Sequence, residues 1–325
     1  ICFYASILDG FADKAVALLA DITFDSVFPE KQIHRERQVI LEEMAMYKDN
    51  PEDAIQDDFD EQVFADHELG HNILGTSETV KSFKREHFNR FIARNIDTSK
   101  VIVSFVGNIS ERKVRRLVTK YLGHLDGASS SRQRQSFETY QPTNIALARN
   151  DMQAHYAMGR PAYAIHDKKR VAFSMLVNLL GGPSMNTRLN LALREKLGFV
   201  YSVEANYQTY TDSGLFAIFF GTEIKNLKRS VKVVDKELSR LRTQKLGTVQ
   251  LRSLKEQMMG QLAMSEENNA GQMLMMGKSL LDLGRIQSLD SIFAKLKAVS
   301  STDIIEVANE MFVPEKLSTL IYTPE

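Results

Sequence analysis

Residues 67 to 71 read HELGH and fit the pattern H-E-x-x-H, a zinc-binding signature of many metallopeptidases. The pattern binds zinc only on an α-helix, where two histidines four residues apart project from one face and the glutamate acts as general base. Gly70 separates the histidines and disfavours a helix by about 1 kcal/mol relative to alanine. Asn72 and Gly75 follow, so we expect no helix to continue. The local sequence favours a surface loop, with a helical zinc site as the alternative.

Two carboxylates offer a different kind of chemistry. Glu36 and Glu43 lie in "PEKQIHRERQVILEEMAMYKDN", residues 29 to 50, which has apolar residues at helical spacing. Their separation of seven residues is two helical turns, so both carboxylates lie on one face of the predicted helix. Val39 and Ile40 flank that face, which favours its contact with a core. Spacing alone, however, is more typical of a solvated charged helix.

The composition argues against several classes of function. Lys and Arg together number 41, as do Asp and Glu, so the net charge of zero argues against a nucleic-acid binder or a polybasic membrane binder. No apolar run approaches the length of a membrane span. Cys2 is the single cysteine, which excludes an internal disulfide and suits a reducing compartment. We therefore expect a cytoplasmic globular protein that binds neither nucleic acid nor membrane.

Helices and strands alternate around these residues. The runs "ICFYASIL" (1–8) and "KVIVSFVGN" (100–108) are typical of strands, and Ser110 is a typical N-cap for the helix that follows. The polar residues 126–144, rich in Ser and Gln, indicate an interdomain linker. The other predicted helices lie within 9–28, 29–50, 52–66, 76–95 and 168–180, and the other predicted strands lie near 145–158 and 200–222.

The two parts of the chain resemble each other. "LGTSETVKSFKREHFNRFIARNIDTSKVIVSFVGN" and "LGRIQSLDSIFAKLKAVSSTDIIEVANEMFVPEKLSTLIYTPE" each contain Leu-Gly, a polar turn, one or two helices, a basic break and a terminal β run. This similarity predicts an α+β fold with two copies of one unit, each a mixed or antiparallel sheet with helices packed on one side. We place the copies at residues 1–125 and 145–325, and we expect the first to lack the strand block at its front.

A family resemblance is carried by "ERQVILEEMAMYKDNPEDAIQDDFDEQVFADHELGHNILGTSETVKSF" and by "LREKLGFVYSV" further along. Both segments resemble the pitrilysin/insulinase family of zinc peptidases, the inverzincins, whose zinc motif is H-x-x-E-H. The similarity covers nearly the whole chain and is greatest to the bacterial processing-protease branch. It implies zinc as the cofactor and hydrolysis of peptides or unfolded segments between two clam-like domains, often in dimers. HELGH then lies in an ordinary connecting segment.

The resemblance also implies roles for four residues. Glu43 matches the family's third zinc ligand, and Glu36 matches an acidic residue that orients the site without binding the metal. Arg194 and Tyr201 match a pair that reaches the substrate backbone and the developing oxyanion, where a guanidinium and a phenol stabilise negative charge. Without the resemblance, Arg194 is typical of a surface helix and Tyr201 of a half-buried strand.

The sequence departs from the family in one respect. None of its seven histidines forms H-x-x-E-H, so two histidine ligands and the general-base glutamate are missing. A catalytic zinc needs about three protein ligands. We therefore expect an inactive fragment of a zinc metalloendopeptidase, with zinc only in the complete protein; the alternative is a non-catalytic binding or structural subunit. Uncovered apolar residues near Ile1, Phe3 and Ala5 predict self-association or a disordered N-terminal region.

Overall fold

The computed structural model describes residues 1–125, 127 and 135–325. Its helices are α1 (Ala12–Phe24), α2 (Glu30–Asp49), α3 (Pro51–Val63), α4 (Ser77–Ser82), α5 (Arg85–Asn95), α6 (Glu111–Leu122), α7 (Arg170–Gly181), α8 (Ile224–Thr243), α9 (Thr248–Ser265), α10 (Asn269–Leu283), α11 (Leu289–Ala298) and α12 (Ser301–Met311). Its strands are β1 (Asn144–Arg149), β2 (Ala154–Pro161), β3 (Val200–Thr209), β4 (Gly214–Thr222) and β5 (Ser318–Pro324). The α+β class predicted from the sequence is confirmed.

The chain folds into two compact units, and neither unit is continuous in sequence. The first unit comprises Ile1–Ile40, Glu78–Arg134 and Leu262–Ser288, and the second comprises Leu41–Ser77, Gln135–Gln261 and Leu289–Glu325. The domain limits 1–125, 126–144 and 145–325 stay a prediction. Part of the predicted linker, residues 126 and 128–134, lies outside the described residues.

The second unit contains a five-stranded mixed sheet with the strand order β1-β5-β2-β4-β3. β1 and β5 pair in parallel and the remaining neighbours pair antiparallel, so β3 lies at one edge. The central strands β2 and β4 are almost entirely buried because helices cover both of their faces. On one face, Phe216 of β4 contacts Phe173 of α7 and Phe312 after α12, with ring centroids 5.6 and 5.1 Å apart.

Helix α3 covers the opposite face of the same sheet. Its start is fixed by Asn50, whose side chain accepts a hydrogen bond from the Glu52 N–H, and by Pro51 in the first turn. Phe59 is fully buried, and its ring lies edge-on to Phe219 of β4 at 6.0 Å. The shared core consists of Ala54, Ile55, Phe59, Val63, Phe64, Ala157, Leu215, Ala217, Leu320 and Tyr322. A helix from the early part of the sequence thus completes the core of the later part.

Two strand predictions in the first unit are wrong. Residues 1–8 and 101–106 belong to no strand and no helix. An apolar, β-prone segment forms a strand only where a neighbouring strand pairs with its backbone. The part of the chain that the structure describes contains no such partner strand for either segment. Ser104 instead donates a hydrogen bond to the Met273 carbonyl of α10 at 3.0 Å. The predicted exposure at the N-terminus is confirmed, since Ile1 is 93% exposed.

The order of the elements agrees with the predicted internal repeat. In the first copy, α4 and α5 lead through the 3₁₀ turn Thr98–Lys100 into residues 101–106, which form no strand. In the second copy, α11 and α12 lead through the 3₁₀ turn Pro314–Lys316 into β5. The predicted helix 76–95 is two helices, because the chain leaves the helical path at Phe83 and Lys84. The same succession of elements therefore ends in a strand only in the second unit.

Asp60 of α3 makes the stability of the second unit depend on pH. Burial, followed by the nearby Asp57 carboxylate, raises its pKa from 3.8 to about 6. Because the folded state holds this proton more tightly, stability falls as the pH rises from about 4 to about 6 and stays lower above that range. Asp60→Asn is expected to raise the free energy of unfolding by ~1–3 kcal/mol at about pH 7.5, and to change it little near pH 4.

Urea unfolding at the two pH values measures this effect. Glu61→Gln, at the exposed neighbouring position, is the matched control and should follow the wild type at both. An Asp60→Asn protein with the same pH dependence as the wild type would rule out Asp60 as the group responsible.

Candidate substrate-binding site

The HELGH stretch forms a 3₁₀ turn, Glu68–Gly70, and no α-helix. The Nδ1 atom of His67 accepts a hydrogen bond from the Leu69 N–H at 3.1 Å, and its Nε2 lies 2.9 Å from the Gln135 carbonyl oxygen. Gly70 suits the turn because a Cβ there would lie 2.6 Å from the Phe64 carbonyl oxygen. The loop predicted for this stretch is confirmed, and the helical geometry that a zincin needs is not present.

Helix α2 carries both predicted carboxylates on one uninterrupted segment. Ile33 and Met44 are its buried anchors, whereas Glu36 is exposed and Glu43 is half-buried. The C-terminal end of the helix is held by Arg149 of β1, which donates a hydrogen bond to the Lys48 carbonyl oxygen. Glu43 belongs to the second compact unit, as do Arg194 and Tyr201, although about 150 residues separate them in sequence.

The described residues do not form a complete zinc centre. They contain no group of three or more His, Cys, Asp or Glu side chains placed to hold a metal ion. Glu43 and Glu36 together offer two carboxylates, and a catalytic zinc takes about three protein ligands with an open fourth position. Glu36 and Glu43 by themselves therefore do not make a catalytic zinc site.

Arg194 and Tyr201 are brought together by the fold. The guanidinium carbon of Arg194 lies 5.8 Å from the centroid of the Tyr201 ring, within the range of a cation–π contact. Arg194 lies in the π-helical segment Asn190–Glu195, where the Lys196 N–H bonds to the Leu191 carbonyl at 3.0 Å. Such wide turns are rare and occur frequently at functional sites. A cation and a phenol therefore share one exposed location.

Tyr201 is not the half-buried strand aromatic that its sequence context suggests, because its side chain is 88% exposed. The register of β3 and β4 shifts between Val200 and Val203, so that Tyr201 and Ser202 share the position opposite Gly221. This is a β-bulge, which turns side chains away from their regular alternation and is common beside active sites. Tyr201 and Ser202 are therefore both exposed between the buried residues Val200 and Val203.

A polar cleft of about 300 Å³ opens beside Tyr201. It lies between the start of β3, the end of β4 and the beginning of α8, and its lining includes Gln153, Glu223 and Asn226. These side chains offer amide and carboxylate groups to a polar ligand such as a peptide. Sequence patterns missed the cleft, since its residues come from three separated segments.

Two family models match this chain. The model described as "Insulinase (Peptidase family M16)" matches residues 1–77, and the model described as "Peptidase M16 inactive domain" matches residues 82–258. The second match includes Arg194 and Tyr201. No helix in the described part of the chain is long and apolar enough to cross a membrane.

Individual proteins of similar sequence or structure point to the same family. A Bacillus subtilis protein named "Uncharacterized zinc protease YmxG" is 32% identical over 98% of this chain and 78% of its own length. A Pseudomonas fluorescens structure described as "peptidase M16 inactive domain" has a TM-score of 0.87 at 17% identity, over 96% of this chain and 75% of that one. A chain of the Candida albicans structure titled "Complex III2" has a TM-score of 0.83 at 15% identity, over 98% and 78%. The chain therefore belongs to the M16 family of pitrilysin- and insulinase-type zinc peptidases.

Proposed function

We propose that this chain supplies the substrate-binding side of an M16 zinc metalloendopeptidase and that Arg194 and Tyr201 contact the peptide. The observation that carries the proposal is their pairing in the fold. The guanidinium carbon lies 5.8 Å from the centroid of the phenol ring, the ring is 88% exposed and the Arg194 side chain is 37% exposed, so a ligand can reach both groups. The exposed Tyr201 ring contributes little to a core, and Arg194 also pairs with Glu195, its Nε lying 3.9 Å from Oε1.

The two side chains suit the charge that peptide hydrolysis develops. Attack of water on a peptide carbonyl converts a neutral oxygen into an oxyanion, which N–H and O–H donors stabilise. Arg194 offers a permanent cation with several N–H donors, and Tyr201 offers one O–H donor. Loss of one such donor costs about 10²–10³-fold in kcat in comparable sites.

Glu43 is proposed as one ligand of a zinc ion in the complete protein, with Glu36 orienting the site. The remaining ligands and the general base would come from an H-x-x-E-H segment, which this sequence does not contain. In the complete protein, zinc would activate water and polarise the scissile carbonyl. The 325-residue chain by itself is then inactive and free of zinc, and we place the protein in the cytoplasm.

A non-catalytic peptide-binding subunit is the second candidate. It is favoured by the match of residues 82–258 to a model described as an inactive domain. Self-association also fits, because apolar side chains of the first unit are exposed: Ile1, Phe3, Val101, Ile102 and Val103. This candidate predicts peptide binding without turnover in the full-length protein.

Turnover of a fluorogenic peptide by the full-length, zinc-loaded protein tests the proposal. Tyr201→Phe and Arg194→Met are each expected to lower kcat/KM by about 100-fold, because each removes a donor to the oxyanion. Tyr4→Phe and Arg115→Met change exposed residues of the same types outside the site and are the matched controls. Site variants that retain wild-type turnover would overturn the proposal. A wild type that binds the peptide without cleaving it would favour the second candidate.

A further inference from the structure

Thr222, the last residue of β4, contacts the backbone beside the Arg194–Tyr201 pair. Its hydroxyl donates a hydrogen bond of 2.7 Å to the Phe199 carbonyl oxygen, and the residue is only 2% exposed. Phe199 lies two residues before Tyr201, separated from the bulge by Val200. This partly buried hydrogen bond fixes the backbone, because its loss would leave the Phe199 carbonyl without that donor.

The same short segment is fixed from its other end by the wide turn that carries Arg194. The Phe199 N–H bonds to the Leu193 carbonyl at 2.9 Å, and the Gly198 N–H bonds to the Arg194 carbonyl at 3.0 Å. Gly198 has a φ of +60°, a left-handed conformation that favours glycine. Backbone bonds therefore connect the turn of Arg194 directly to the residue that Thr222 holds.

A third contact fixes the side chain of Phe199. The guanidinium carbon of Arg229, on α8, lies 4.6 Å from the centroid of the Phe199 ring. Among the strands that the structure describes, β3 has β4 as its only neighbour and lies at the edge of the sheet. A bulge at a sheet edge lacks a second flanking strand to hold it, so these contacts with Phe199 take that place.

We propose that Thr222 is a positioning residue: its hydroxyl holds Phe199 and thereby sets the β-bulge that presents Tyr201 beside Arg194. The inference rests on the proposed function, because it assigns Thr222 an effect on turnover only through Tyr201. Thr222 is only 2% exposed. It acts through the backbone of residues 199 to 201.

Steady-state turnover of the same fluorogenic peptide by the full-length protein tests the proposal. Thr222→Val removes the hydroxyl at nearly constant volume and is expected to lower kcat about tenfold with KM changed by less than about twofold, since small misplacements of a catalytic donor reduce the rate steeply. Thr222→Ser keeps the hydroxyl and is expected to restore most of the rate. A purely structural role would lower the amount of folded protein and leave the kcat of the folded fraction unchanged.

A double-mutant cycle with Tyr201→Phe separates the possible outcomes. If Thr222 acts through the phenol, Thr222→Val should lower kcat by less than about twofold in the Tyr201→Phe background. Equal effects in both backgrounds, or no effect of Thr222→Val on the wild type, would overturn the proposal for Thr222 alone. A Tyr201→Phe protein with full activity would overturn the proposed function and this inference with it.

Gly198→Ala is a second variant that tests the same proposal if the Thr222→Val protein does not fold. Nothing lies within 4 Å of a Cβ at position 198, so alanine adds no clash and only strains the left-handed backbone. Gly198→Ala should reduce kcat in the wild type and much less in the Tyr201→Phe background. Gly247→Ala, at another glycine with open space around a Cβ, is the matched control. Additive effects of Gly198→Ala and Tyr201→Phe would also contradict the proposal.

Discussion

Replacement of Phe59 by alanine is expected to lower the free energy of unfolding of the second unit by about 3–5 kcal/mol. Phe59 is fully buried at the centre of α3, and its ring lies 6.0 Å from that of Phe219 on β4. The truncation removes a large apolar side chain and leaves a cavity between a helix and a sheet, which can relax only partially. The lost edge-to-face ring pair adds to this cost.

The effect of Phe59→Ala should extend to the proposed site. α3 directly follows α2, with Asn50 between them, and α2 carries Glu43. Urea unfolding followed by circular dichroism measures the change. Phe91→Ala is the control, since Phe91 is 46% exposed on α5 and its truncation should cost less than about 1 kcal/mol. A loss below about 1 kcal/mol for Phe59→Ala would show that α3 does not secure the sheet.

Replacement of Glu43 by glutamine is expected to reduce the zinc affinity of the full-length protein by more than about 100-fold, because even the loss of an outer partner costs 10–100-fold. Glutamine keeps the size and shape of the side chain but removes the negative charge that a zinc ligand supplies. Glu43 is half-buried on a helix anchored by Met44, so a variant of equal volume should leave α2 intact.

Zinc retained after dialysis against a chelator measures this loss. Glu42→Gln is a close control, because it changes the adjacent, exposed carboxylate, which points about 100° away around the helix. Glu36→Gln should weaken zinc by about 10–100-fold, as expected of a residue that orients the site. Equal zinc retention by the Glu43→Gln and Glu42→Gln proteins would remove Glu43 from the ligand set.

The helices could be predicted from the sequence because they depend on local patterns. α2 shows apolar residues at helical spacing after a proline, and its observed bounds, Glu30–Asp49, follow the predicted 29–50 closely. The strands near 145–158 and 200–222 were also predicted correctly, as β1 to β4 show. Local chemistry likewise identified the loop at HELGH, since glycine and asparagine interrupt a helix there.

The features that the sequence did not predict correctly are those that depend on contacts between distant parts of the chain. Residues 101 to 103 are as β-prone as any strand, yet pairing requires a neighbour that periodicity does not reveal. α3 was predicted as a helix, but no local signal indicated that it packs on the sheet of the second unit. The bulge that places Tyr201 and Ser202 together opposite Gly221 depends on the pairing of β3 with β4, which no pattern within β3 shows.

The most direct test of the account is the zinc content of this 325-residue chain by elemental analysis, beside that of the full-length protein. We expect about one zinc per full-length chain and almost none on the 325 residues, because one carboxylate ligand cannot hold a catalytic zinc. Stoichiometric zinc on the 325-residue chain that disappears in His67→Ala would contradict it and would restore HELGH as the metal site.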